Sequence, residues 1–123
     1  MQPIHKFPKD IAKNITCVFT DIDDTLTTEG SLPAFAYHAL EALTKAGIHV
    51  APITGRPAGW CDMIARLWPV AGVVGENGAF YFSYDRDQKK MIRAYDTDEL
   101  TRTSDRKRLD NIAERILTEV PGC

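Results

Sequence analysis

Residues 15–25 read Ile15-Thr16-Cys17-Val18-Phe19-Thr20-Asp21-Ile22-Asp23-Asp24-Thr25. A run of β-prone residues passes directly into three carboxylates within four positions, the composition of a buried strand that ends in an acidic turn. Downstream, residues 24–33 form a polar loop with Gly30 as its turn point. From Pro33, Ala36, Leu40 and Leu43 fall at helical spacing until Gly47 closes the segment. Ile48–Ile53 reads as a second strand, frayed or irregular at Pro52 because proline cannot donate to a ladder. Pro57 opens a second helix with Trp60, Met63, Ile64, Leu67 and Trp68 on one face, and Pro69 ends it. Ala71–Gly75 is a third strand, followed by the turn Glu76-Asn77-Gly78.

Strand, helix, strand, helix, strand in this order predicts right-handed crossovers and a three-layer α/β fold, a parallel, Rossmann-like sheet with helices on its faces. Ala79–Tyr84 and Met91–Tyr95 flank a charged connector and predict a hairpin. Residues 104–120 read as an amphipathic helix striped by Leu109, Ile112, Ala113, Ile116, Leu117 and Val120. Its Arg106-Lys107-Arg108 run is offset by Asp105, Asp110 and Glu114, as on a solvated helix face. Residues 1–14, interrupted by Pro3 and Pro8, are expected to be a loose arm, leaving one domain over 15–123.

Composition excludes several classes. In 123 residues, 15 Lys and Arg face 17 Asp and Glu, a net charge of −2 without the basic excess of a nucleic-acid binder. No apolar run approaches the about 18 residues that span a bilayer. The start, Met1-Gln2-Pro3-Ile4-His5-Lys6, has no signal-peptide core. Cys17, Cys61 and Cys123 are widely spaced and form no CxxC pair, which suits a reducing cytoplasm better than a zinc site or disulfide framework. The expected location is cytoplasmic, with neither nucleic acid nor membrane as partner.

Ligands of parallel sheets gather at the carboxyl ends of the strands. At the first of these, Asp21 and Asp23 start on the same face if the extended geometry continues. Two such carboxylates repel, so keeping both ionised calls for a cation or a raised pKa. The oxygen donors suit Mg²⁺. One carboxylate could attack a phosphoryl phosphorus while the second passes protons. The same residues also suit a plain capped turn, and both readings stand at this point. An EF-hand is excluded because its sixth and twelfth loop positions are Leu26 and Leu32. A receiver domain would need an acceptor Asp at the end of a later strand, where Thr54 stands. Thr54-Gly55-Arg56, leading into a helix N-terminus, suits a phosphate seat or an ordinary loop with a surface salt bridge. Asn77-Gly78 on its own reads as a turn.

Taken together and in order, these strand ends resemble a family. Asp21-Ile22-Asp23-Asp24-Thr25-Leu26-Thr27 resembles the D-x-D-x-T first motif of haloacid dehalogenase superfamily phosphohydrolases. Thr54-Gly55-Arg56 resembles the second motif, and Asn77-Gly78-Ala79 a signature of the Cof-like, sugar-phosphate phosphatase branch. The resemblance spans about residues 15–80. It implies a haloacid dehalogenase-like core acting as a Mg²⁺-dependent phosphomonoester hydrolase on small phosphorylated metabolites, expected to be sugar phosphates. Asp21 would be the nucleophile that forms the aspartyl-phosphate, Asp23 the general acid/base, and Thr25 the support of their turn. Mg²⁺ would bind the Asp21 side chain and the Asp23 main-chain carbonyl. Thr54 would hydrogen-bond the phosphoryl group, in a seat with Gly55, Arg56 and Asn77. Asp24 stands where glycine is common.

The family's third-motif Lys or Arg and its fourth-motif Gly-Asp-x-x-x-Asp have no counterpart after Ala79. Asp96, Asp98 and Glu99 have the wrong setting, and Lys89 and Lys90 suit an exposed connector. The chain is therefore expected to be the amino-terminal part of such a phosphatase, stopping near the start of its cap and weakly active or inactive alone. Without the strand that bears the fourth motif, Ile15–Thr20 would present an open edge, to be covered in a homodimer or other assembly. A phosphomutase using the same intermediate, or a non-catalytic phosphate- or partner-binding remnant, are the alternatives.

Overall fold

A computed structural model describes residues 3–122; Met1, Gln2 and Cys123 lie outside the described residues. Five strands and four α-helices follow in order: α1 Lys9–Ala12, β1 Cys17–Thr20, α2 Ala34–Lys45, β2 His49–Pro52, α3 Ala58–Leu67, β3 Val73–Gly75, β4 Phe80–Asp85, β5 Lys90–Tyr95 and α4 Glu99–Glu119. Strands β1 and β2 are parallel in the register Cys17–His49 to Thr20–Pro52. A parallel bridge between Ile53 and Val74 joins β2 to β3. Strands β3, β4 and β5 continue as an antiparallel meander. The α/β architecture with its parallel strands and the hairpin are those expected from the sequence pattern.

Pro52 is not frayed. It pairs opposite Thr20 and is fully buried, which corrects the expectation of an irregular strand end. The ladder explains why. His49 N–H donates to Thr16 O and Ile53 N–H to Thr20 O, so the odd-numbered residues of β2 serve β1. Pro52 falls on the alternate edge, facing β3, where Val50 O accepts from Ala71 N–H and Thr54 N–H donates to Val74 O. Its missing donor therefore breaks no bond to β1.

Helix α3 carries the core. Cys61, Ile64 and Ala65 pack against Ile22, Val73, Phe80 and Phe82, all buried. The Phe80 and Phe82 rings stack with centroids 4.3 Å apart. Gly75 makes room for them, since a Cβ there would lie 2.2 Å from the Phe80 ring. Helix α2 buries Ala36 and Leu40 over the parallel strands. The opposite sheet face, with Phe19 at 67% exposure and Ile53 and Ile92 near half, is uncovered among the described residues. Strand β1 likewise pairs only with β2 there. The described residues thus supply the sheet and one helical layer.

Helix α4 starts five residues before the predicted Ser104. Asp98 caps it, accepting from Thr101 N–H at 2.9 Å and from the Thr101 hydroxyl at 2.8 Å. None of its residues is buried, and Leu109, Ile112 and Leu117 are exposed. Arg106 pairs with Asp110 and Arg108 with Asp105 on its surface, as the charge pattern predicts. Among the described residues no helix is long and apolar enough to cross a membrane.

Candidate active site

The parallel register puts the tips of β1 and β2 side by side, so Asp21 follows Thr20 next to the turn that begins after Ile53. Ile22 is 1% exposed while Asp21 and Asp23 are exposed. This out-in-out alternation anchors the segment in the core by Ile22 and leaves both carboxylates at the surface. The chain then reverses in a tight turn: Thr25, Leu26 and Thr27 N–H groups all point to Ile22 O at 2.9–3.3 Å. Asp24 has φ of +57°, the left-handed region that explains why glycine is common there. Aspartate is among the residues that tolerate it.

Thr27, which the sequence reading passed over, ties this turn together. Its buried hydroxyl donates to Ile22 O at 3.0 Å and accepts from Asp24 N–H at 3.3 Å. Its signal is a hydroxyl a few residues past an Asp-rich turn, a pattern of side chain-to-backbone closure. Thr25, the expected support, instead directs its hydroxyl to Asp21 Oδ2 at 3.5 Å, a long contact.

The second loop is locked to the third. Thr54 is 3% exposed; its hydroxyl accepts from Arg56 N–H at 3.2 Å and its own N–H donates to Val74 O. Asn77 N–H donates to Thr54 O and Glu76 N–H to Arg56 O, each at 3.1 Å. Glu76 and Asn77 both have positive φ, which folds the end of β3 back over this loop. The Asn77 side chain lies against Gly55, where a Cβ would come 3.2 Å from Asn77 Oδ1. Thr54, Gly55, Arg56 and Asn77 are thus one packed unit.

Arg56 joins that unit to the acidic turn. Its Nε lies 3.2 Å from both Asp23 carboxylate oxygens and its Nη2 lies 2.5 Å from Oδ1. Its guanidinium stacks on the Trp60 ring at 4.5 Å. Hydrogen bonding from Arg56, reinforced by its charge, holds the Asp23 carboxyl below the usual carboxylate range. In this pairing Asp23 is an ionised acceptor.

One prediction follows from the sign of that shift. Carboxyl carbon NMR should find Asp23 titrating below an ordinary aspartate, and Arg56→Ala should return it to the ordinary range. The stabilisation from the pair is present above that range and fades as pH falls through the depressed value. An unshifted Asp23 in the native chain would show that the pair does not persist in solution.

The donor set for Mg²⁺ is of the right kind and too small. Asp21 and the Asp23 carbonyl offer hard oxygens. Among the described residues, however, no group of three His, Cys, Asp or Glu side chains gathers to hold an ion. The Asp23 carboxylate is committed to Arg56. These residues alone do not complete a Mg²⁺ shell.

The fold and the strand-tip carboxylates meet a known pattern. Residues 18–115 match the haloacid dehalogenase-like hydrolase family. The chain belongs to that family. A hypothetical protein from Geobacillus kaustophilus shares the fold with a TM-score of 0.60 at 22% identity, over 85% of this chain and 37% of its own. A haloacid dehalogenase-like hydrolase from Bacillus subtilis gives 0.53 at 22% identity, over 74% and 31%. A phosphatase of the haloalkanoate superfamily from Bacteroides thetaiotaomicron gives 0.53 at 25% identity, over 83% and 36%. The chain therefore spans about a third of the length of these structures. No curated protein matches it.

Proposed function

We propose that this haloacid dehalogenase-like chain carries the nucleophile half of a phosphomonoester hydrolase for small phosphorylated metabolites, working through an aspartyl-phosphate on Asp21. The observation that supports this most is the Arg56 bridge. It ties the β1 turn to the Thr54-Gly55-Arg56 loop and leaves Asp21 exposed beside them. An Asp21 oxygen attacks phosphorus, the phosphorus–ester oxygen bond breaks, and water then hydrolyses the acyl-phosphate to phosphate and free Asp21. Thr54, Gly55 and the N-terminus of α3 form the seat of the phosphoryl oxygens. For Asp23 to take and return protons, Arg56 must first let go, and an arriving phosphoryl group is the anion that competes for it.

Mg²⁺ binding is expected to be weak, because the chain offers few of the oxygens the ion needs. Phosphoryl transfer depends chiefly on electrostatic positioning, so turnover should be slow. Hydrolysis of p-nitrophenyl phosphate by the purified chain tests this. Slow release that rises with Mg²⁺ supports the assignment. Fast turnover would contradict the incomplete site, and phosphate or tungstate binding with no turnover at any Mg²⁺ concentration would favour a non-catalytic phosphate-binding role.

A further inference from the structure

One face of the sheet and one side of α4 share a property: both are apolar, and among the described residues neither is covered. Register defines the face. Val73, Phe80 and Phe82 point into the core, so strand alternation turns Val74 and Tyr81 the other way. Residues opposite each other share a face. The pairs run from Phe19 to Ala51 on β1 and β2, from Ile53 to Val74 across the bridge, and from Tyr81 to Ala94 on β4 and β5. Ile92, opposite Ser83, extends the band. It crosses all five strands without a charged side chain, and Phe19, Ile53, Tyr81 and Ile92 are exposed on it. A face built for water would carry polar residues at these alternate positions, and sheets of this class bury both faces under helices.

Helix α4 has the complementary surface. Leu109, Ile112, Leu117 and Val120 are exposed along its apolar stripe. At 1.5 Å per residue the stripe is about 17 Å long. The strands, of three to six residues, are roughly 10–20 Å long, so the helix can lie along them. Its own sheet cannot use it this way. Arg102 stacks over the Tyr95 ring at 4.0 Å and donates to Thr97 O at 2.6 Å. Tyr95 in turn meets Phe80 and Phe82 edge-on, on the covered side of the sheet. Only residues 96–98 join β5 to α4, so this anchor holds the helix away from the uncovered face.

We propose that two copies of this chain form a two-fold dimer in which α4 of each copy lies on the uncovered sheet face of the other. The occupant of the face is then a second copy, and each sheet gains from its partner the helical layer that the single chain does not supply. Two-fold symmetry makes the contact twice. Each helix-on-sheet contact therefore need bury only about 600 Å² of the about 1,200 Å² that a stable interface requires. Neither the band nor the stripe brings a charged side chain into the contact, so no desolvated charge opposes it. The proposal is independent of the chemistry assigned to Asp21.

Light scattering and sedimentation of the purified chain, with reductant present because Cys17 is exposed, test it. The native chain should have twice the chain mass. Phe19→Glu on the sheet face and Leu117→Glu on α4 should each weaken the dimer by about a hundredfold or more, since each places a carboxylate in both apolar contacts. Both positions are exposed in the single chain, so circular dichroism should show each variant folded. Mixing the two variants is the decisive step. A pair made of one Phe19→Glu chain and one Leu117→Glu chain keeps one native helix-on-sheet contact, so a heterodimer should form where neither variant pairs with itself.

A monomeric native chain would overturn the proposal. Loss of the dimer in Phe19→Glu alone would show that two sheet faces meet, and loss in Leu117→Glu alone that two α4 helices meet; either result overturns it. A dimer that survives both substitutions would place the contact at the free edge of β1 instead. Variants that are both monomeric and stay so when mixed would also contradict the reciprocal arrangement.

Discussion

Asp21→Asn is expected to abolish acyl-phosphate formation. A chain incubated with acetyl phosphate and quenched in acid should gain the mass of one phosphoryl group in the native form and none in Asp21→Asn. Any slow p-nitrophenyl phosphate hydrolysis should fall by on the order of a thousandfold or more, as when other enzymes lose their nucleophile. The substitution is nearly isosteric at an exposed position, so the melting temperature should be unchanged. Asp23→Asn separates the roles: the adduct should still form but decay more slowly, because the group that accepts the proton of the hydrolytic water is gone. Equal labelling of the native chain and Asp21→Asn would move the nucleophile elsewhere.

The largest effect on stability is expected at Phe80. Its ring is 4% exposed, stacks on Phe82, meets Tyr95 edge-on at 6.3 Å and fills the notch left by Gly75 against α3. Phe80→Ala removes that ring from a shell already packed, and such truncations cost about 3–5 kcal/mol. Small domains have total stabilities of roughly 5–15 kcal/mol, so the variant should be partly unfolded at modest urea concentrations. A loss below about 1 kcal/mol in urea denaturation would mean that the α3–β4 interface relaxes into the gap or is not the centre of the core.

Much of this fold was legible because each element had a local cause. The β-prone run before Asp21, the Pro33 and Pro57 helix starts and the Asn77-Gly78 turn lie where their chemistry puts them. Pro52 was misjudged because the cost of a proline in a strand depends on which edge its nitrogen faces. That edge is set by Thr20 and Val74, residues distant in sequence. Helix α4 began early because Asp98 caps it through Thr101, a local bond that hydrophobic periodicity does not register.

The site divides in the same way. The acids, Thr54-Gly55-Arg56 and Asn77 stood out as residue types at strand ends, but their partners did not. That Arg56 would grip Asp23 follows from the β1–β2 register, and that Asn77 would seat against Gly55 follows from two successive left-handed residues after β3. Thr27 and Trp60 were invisible as functional residues because each acts on a neighbour, one on the Ile22 carbonyl and the other on the Arg56 guanidinium.

The claim beneath all of this is that the tips of β1 and β2 form one phosphoryl-binding site. An amide NMR titration with inorganic phosphate, repeated with Mg²⁺ present, measures it directly. We expect shifts confined to residues 21–27, 54–56 and 77, strengthened by Mg²⁺ and lost in Arg56→Ala. Shifts centred elsewhere, or none at these positions at any phosphate concentration that leaves the chain folded, would contradict it.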